Sequence, residues 1–243
     1  MRRYLLSALL LLVACSGAGA ACVESSGLVR STVGITRTFD EQEMKATPDV
    51  SGIRGTGWFL SPRLLVTAAH VAEAMHLSSE GWKELELRER DSKELVSARV
   101  VRLAGSYSEK IAVLELSASF PGASPLQLRM EPLVAEERVA SLAYPGSRLR
   151  FAGGRFMQYG ETDSFAGTAL LEMYDGNDRL VLDHGASGAP VLDCEGRVVA
   201  VVSTAITQTI SFMVAAVRTS TAWQTANVVS IPIQVLKDFA RPQ

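Results

Sequence analysis

Histidine and cysteine are scarce in this chain, three of each among 243 residues. The histidines stand far apart, at positions 70, 76 and 184, and no pair of them shares a metal-ligand spacing with the cysteines; a zinc or other transition-metal site is therefore not expected. Charge of one sign is also lacking. With 24 Lys and Arg against 26 Asp and Glu, the net charge of −2 offers no basic field to a phosphate backbone, and no finger, RNP or P-loop pattern appears, so nucleic acid is excluded as a partner. No apolar run reaches the length of a spanning helix. Internal repeats, low-complexity tracts and a cofactor fingerprint are missing as well, and no cofactor is expected. What remains is an ordinary globular composition, 47% hydrophobic and 21% charged, long enough for one domain or two closely packed halves.

The first residues, MRRYLLSALLLLVACSGAGAAC, place two arginines before an apolar stretch and then turn small and polar. This is the layout of an export signal over residues 1–21. Two cuts fit. Leu12-Val13-Ala14-Cys15 resembles the lipobox of bacterial lipoproteins, in which the cysteine is acylated; the other cut follows Ala18-Gly19-Ala20. The lipobox is the preferred reading, and it implies a membrane contact through a lipid on Cys15, with the protein in the bacterial cell envelope. Export leaves Cys22 and Cys194 in an oxidising compartment, either bridged or as two free thiols.

Beyond the leader, short strands dominate. GTGWFLSPRLLVT (55–67) reads as a hairpin split at Ser61-Pro62, and Leu85 and Leu87 pair in period with Val96, Ala98 and Val100 across a turn at Asp91-Ser92. Further strands are expected at Ile111 to Leu116, Arg138 to Ala143, Leu170 to Tyr174, Val191 to Asp193, Val198 to Ser203 and Val228 to Ile231. Residues 22–52 are polar and read as a tether with a lead-in strand around Val33 to Thr36. The one convincing helical pattern is Ile233, Leu236, Phe239 after Pro232. The fold class that follows is all-β: antiparallel barrels with a short C-terminal helix.

Two short segments carry chemistry. In DHGASGAPV (183–191), Ser187 lies between Gly185 and Gly188, whose backbone freedom lets successive N–H groups converge on one spot. In TAAHV (67–71), His70 ends an apolar strand and can serve as the base that a serine nucleophile needs. His76 and His184 lack such a setting and read as surface residues.

Together, GTGWFLSPRLLVTAAHV and HGASGAPV resemble the trypsin-like serine peptidases, and GRVVAVVSTAI with VVSIPIQVL narrows the likeness to the HtrA-type branch. The likeness extends from about Gly55 to Phe239. It implies two six-stranded antiparallel barrels over residues 53–243, divided near 120–135, and a cleft between them for a protein or peptide substrate. It further implies Ser187 as nucleophile, His70 as general base and acid, and the amides of Gly185 and Ser187 as the oxyanion hole. Val181 would floor the primary pocket, and Ser203, Thr204 and Ala205 would form its wall. No room is left for an appended peptide-binding domain, and a monomer is expected.

One position departs. SEKIAVLEL carries Lys110 where the family places the aspartate that orients the histidine. Glu109 stands next to it and reaches His70 only if the strand entrance bulges; otherwise it is a solvated loop charge. Without an acid, a slow Ser-His dyad and a non-catalytic peptide-binding module are both left open.

Overall fold

The computed structural model describes residues 22–106, 109–160, 167–205 and 226–239. Twelve strands form two closed antiparallel barrels. In the first, β1 (Thr32–Thr38), β2 (Gly52–Ser61), β3 (Leu64–Ala68), β4 (Lys83–Glu89), β5 (Ser92–Ser106) and β6 (Glu109–Leu116) close in the order β1-β2-β3-β6-β5-β4. In the second, β7 (Arg138–Ala143), β8 (Arg150–Tyr159), β9 (Ala169–Tyr174), β10 (Pro190–Leu192), β11 (Val198–Ala205) and β12 (Val228–Pro232) close as β10-β11-β12-β9-β8-β7. Each of the strands expected from the period of two is present.

Three apolar clusters account for the arrangement. Leu65, Ala112 and Leu114 point into the first barrel, and Ala200 and Val202 into the second. Their strand neighbours Val66, Ile111, Val113 and Val201 point outward and meet Trp58, Leu142, Leu192 and Ile231 in a third core between the barrels. Strands buried on both faces read as continuous apolar runs, which explains stretches such as VVAVV. Fully burying each such side chain contributes about 1.5–3 kcal/mol, so the third core fixes one barrel against the other.

The structure departs from the sequence expectations in four places. The first barrel begins at Thr32, so the lead-in strand is an integral barrel strand and the domain boundary at 53 is too late. The polar stretch after it is ordered too: α2 (Glu41–Ala46), preceded by the four-residue α1 (Ser25–Leu28), starts at Asp40 with a reciprocal cap. Asp40 accepts from the amides of Gln42 and Glu43, and the Glu43 carboxylate accepts from the Asp40 amide. Strand β8 escaped notice because Gly153-Gly154 weakens the strand signal. Gly154 is required there, since a Cβ would lie 1.9 Å from the Glu172 carbonyl oxygen on β9. The terminal segment Ile233–Phe239 is a 3₁₀ helix with a kink at Leu236. Its apolar residues recur every three positions, and three residues per turn place them on one face.

Cys22 and Cys194 are joined by a disulfide that spans 172 residues and ties the leading segment to the second barrel. Among the described residues no helix is long and apolar enough to cross a membrane. Cys15 and the leader lie outside the described residues.

Candidate active site

His70 sits in α3 (Ala69–Ala74), which follows β3 directly. Ala69, Val71 and Ala72 are buried against the first-barrel core, which leaves His70 on the exposed side of the short helix. Ser187 comes from the loop before β10. One open cleft of about 670 Å³ joins the two, with His70, Ser187 and Gly185 among its lining residues.

Backbone hydrogen bonds set the nucleophile loop. The amide of Ala186 donates to the Asp183 carbonyl (2.7 Å), that of Ala189 to Ala186 (3.0 Å), and that of Gly188 to Val202 (2.8 Å). The His184 carbonyl accepts from the Gly146 amide at 3.2 Å. In a trans peptide the N–H points opposite to the C=O. The Gly185 N–H is thereby directed away from Gly146, and the Ser187 N–H away from Ala189. Neither amide has an acceptor among the described residues. Gly185 and Gly188 adopt φ of +97° and +93°, the left-handed region in which a side chain is strained. At Gly188 a Cβ would also lie 2.1 Å from the Thr56 carbonyl oxygen and 2.2 Å from the Thr67 hydroxyl.

Thr56 links both barrels to this loop, a part that motif reading did not anticipate. Its hydroxyl donates to the Gly185 carbonyl (2.6 Å) and accepts from the Tyr144 amide (3.0 Å), while its own amide donates to the Ser187 carbonyl (2.9 Å). The Thr67 hydroxyl in turn donates to the Thr56 carbonyl at 2.7 Å. Tyr144 is buried against Gly34 of the first barrel, and its hydroxyl accepts from the Arg90 amide; burial raises its phenol pKa.

The Ser187 hydroxyl donates to the Ser203 carbonyl at 2.8 Å. A carbonyl does not remove the proton, so in this rotamer the hydroxyl is not activated. Ser203 is buried on β11; Thr204 and Ala205 continue that strand, and their side chains lie outside the described residues. Val181 is half-buried against the second-barrel core. Asp183 is exposed and accepts from the His184 amide.

Lys110 is half-buried near the start of β6, one residue before Ile111, the partner of Ala68 in the strand leading to His70. It has no ion-pair partner among the described residues. Glu109 opens β6 opposite Ser106, and its side chain lies outside the described residues. No group of three or more His, Cys, Asp or Glu gathers at a point among the described residues. His76 is not a bare surface residue: its ring stacks on Phe39 with centroids 4.9 Å apart, and its Nδ1 lies 3.4 Å from Glu43.

Residues 55–201 match the family model of the trypsin-like peptidase domain. The fold is similar to the crystal structure of Rv3671c protease from M. tuberculosis in its active form, with 18% identity and a TM-score of 0.57, over 95% of this chain and 92% of that one. The inactive form of Rv3671c protease is similar at 19% identity and a TM-score of 0.56, over 88% and 89% of the two chains. Deg5 is similar at 14% identity and 0.57, over 88% of each chain. No curated protein sequence matches the chain.

Proposed function

Because this chain belongs to the trypsin-like peptidase family, we propose that it is an exported serine endopeptidase of HtrA type that opens peptide bonds through an acyl-enzyme on Ser187. The observation that carries this reading is the cleft holding His70 and Ser187 beside two amides that find no acceptor among the described residues. Ser187 leaves the Ser203 carbonyl by rotating to another staggered rotamer, passes its proton to His70 and attacks the substrate carbonyl. The amides of Gly185 and Ser187 take the oxyanion, a contribution of about 3–4 kcal/mol per donor in comparable sites. His70 then protonates the leaving amine, and water releases the acyl group by the same steps in reverse. Thr204 and Ala205 extend the strand along which the acyl side of the peptide pairs, and Val181 floors its pocket. Export follows the leader, with acylated Cys15 as the membrane anchor, and the protein acts as a monomer.

A second reading has its own observation: the Ser187 hydroxyl is engaged with a carbonyl, and it is supported by the family likeness, which would put the orienting acid at Lys110. On that reading the cleft holds an extended peptide without cutting it. Fluorophosphonate labelling of the wild type beside Ser187→Ala separates the two. Labelling confined to the wild type is expected; equal absence in both overturns the peptidase reading and favours the binding module.

A further inference from the structure

The cleft is bordered by both barrels, and their positions fix the path of a bound peptide. On one side the Ser203 carbonyl of β11 receives the Ser187 hydroxyl at 2.8 Å. On the other, the Thr56 amide of β2 holds the Ser187 carbonyl at 2.9 Å, and a Cβ at Gly55 would stand 3.5 Å from that same oxygen. A peptide that pairs with β11 on its way to Ser187 therefore leaves across the outer face of the β1–β2 ladder. That face presents Thr36, Thr38, Gly52 and Arg54 to the cleft, with Arg54 opposite Thr36 in register.

Among the described residues lining this cleft, Arg54 is the permanently charged one and none is a carboxylate, the nearby Asp183 standing behind His184. Elsewhere on the first barrel Arg37 pairs with Glu43, Arg63 and Arg99 with Glu115, Arg88 with Glu86 and Arg102 with Asp238, whereas Arg90 in the β4–β5 turn, away from the cleft, has no carboxylate partner among the described residues. Arg54 is exposed and has no carboxylate partner among the described residues. It also stands on a braced element. The Phe39 amide donates to the Ser51 carbonyl at 3.0 Å and closes the neck between β1 and β2, and the buried Arg37–Glu43 pair holds α2 against β1. An unmatched guanidinium on a fixed wall offers a planar fork that fits a carboxylate in two-point contact.

We infer that Arg54 is a specificity-determining residue that gives the cleft a preference for Asp or Glu within the first two residues after the scissile bond. The inference rests on the peptidase reading for the word scissile and on the cleft geometry alone for the contact.

The test uses a proteome-derived peptide library in two arms. In the first, the wild type, Arg54→Gln and Arg54→Glu digest the library, and mass spectrometry reads the residues after each cut. Acidic residues should be enriched about fivefold by the wild type, the size of one screened ion pair. The enrichment should vanish in Arg54→Gln and turn to Lys and Arg in Arg54→Glu. In the second arm, immobilised Ser187→Ala captures peptides from the same library, with and without Arg54→Glu. Absence of cutting together with acidic peptides captured only when Arg54 is present sinks the peptidase reading and keeps the inference. Equal preference with and without Arg54, or no capture and no acidic enrichment in either arm, overturns it. Arg54 is solvent-exposed, so both substitutions leave the core untouched.

Discussion

The two barrels hold their halves of the cleft by different means. On the second barrel, the Ser187 loop is shaped chiefly by main-chain hydrogen bonds and two glycines at positive φ, with Thr56 of the first barrel as its one side-chain anchor. The first barrel relies on side chains and charge: the wall around Arg54 is braced by Arg37 and Glu43, and His70 rides on a short helix after β3, next to the start of β6 where Lys110 stands. Main-chain geometry tolerates changes of charge and fails when a Cβ intrudes. Side-chain bracing tolerates small changes of volume and fails when a charge is removed or neutralised.

The largest expected effect lies in the first barrel's half. Lys110→Asp should raise the rate of fluorophosphonate labelling and peptide cleavage by up to about 10⁴-fold, the span that an orienting aspartate contributes in related triads. An unchanged rate would mean that another acid already serves His70, and Glu109→Gln would then identify it by a fall in rate. Next is Gly188→Ala, which attacks the main-chain half. Left-handed strain and the clash with Thr56 and Thr67 together cost about 4 kcal/mol, read as a fall of roughly 10 °C in the unfolding midpoint. A shift within a degree of wild type would show that the loop is held less tightly than its contacts imply.

Glu43→Gln should cost about 3 kcal/mol, because it leaves the nearly buried Arg37 guanidinium without its counter-charge. Acid should imitate it. The hydrogen bonds from Arg37, acting against the opposing effect of burial, hold the Glu43 carboxyl down from 4.5 to about 2. A depressed carboxyl contributes stability above its unfolded value and loses it as pH falls through the folded one. The brace is therefore complete above about pH 4.5 and lost toward pH 2, and Glu43→Gln should show a flatter stability profile over that window. The smallest effect is Thr56→Val. Unpairing the Gly185 carbonyl and the Tyr144 amide costs about 2 kcal/mol, and labelling at Ser187 should slow more than the stability loss explains if the Gly185 and Ser187 amides form the proposed oxyanion hole.

Much of this was legible beforehand. The alternation of Leu85 and Leu87 against Val96 and Ala98, and the apolar runs around Val66, Ile111 and Val201, marked strands because neighbouring positions report on opposite faces. HGASGAPV marked the tight loop around Ser187 because a loop needing positive φ announces itself through glycine, and TAAHV marked the end of the strand that puts His70 on the same cleft. The misses have physical causes. Gly153-Gly154 carries no strand signal, yet Gly154 serves a close passage of backbone against Glu172. Asp40 and Glu43 looked like tether charges, yet they cap a helix and pair with an arginine 6 residues upstream.

By itself the sequence determined all the strands but β8, and the motifs that single out His70, Ser187 and Lys110 as candidates. These are local properties, carried by residues two to four positions apart. Tertiary structure alone decided that Thr56 touches Gly185 across 129 residues and Tyr144 across 88, and that Arg54 faces the cleft with no carboxylate partner among the described residues while Arg37 on the paired strand finds Glu43. Such contacts depend on how two barrels close and pack, and register and closure are set by burial summed over the whole chain.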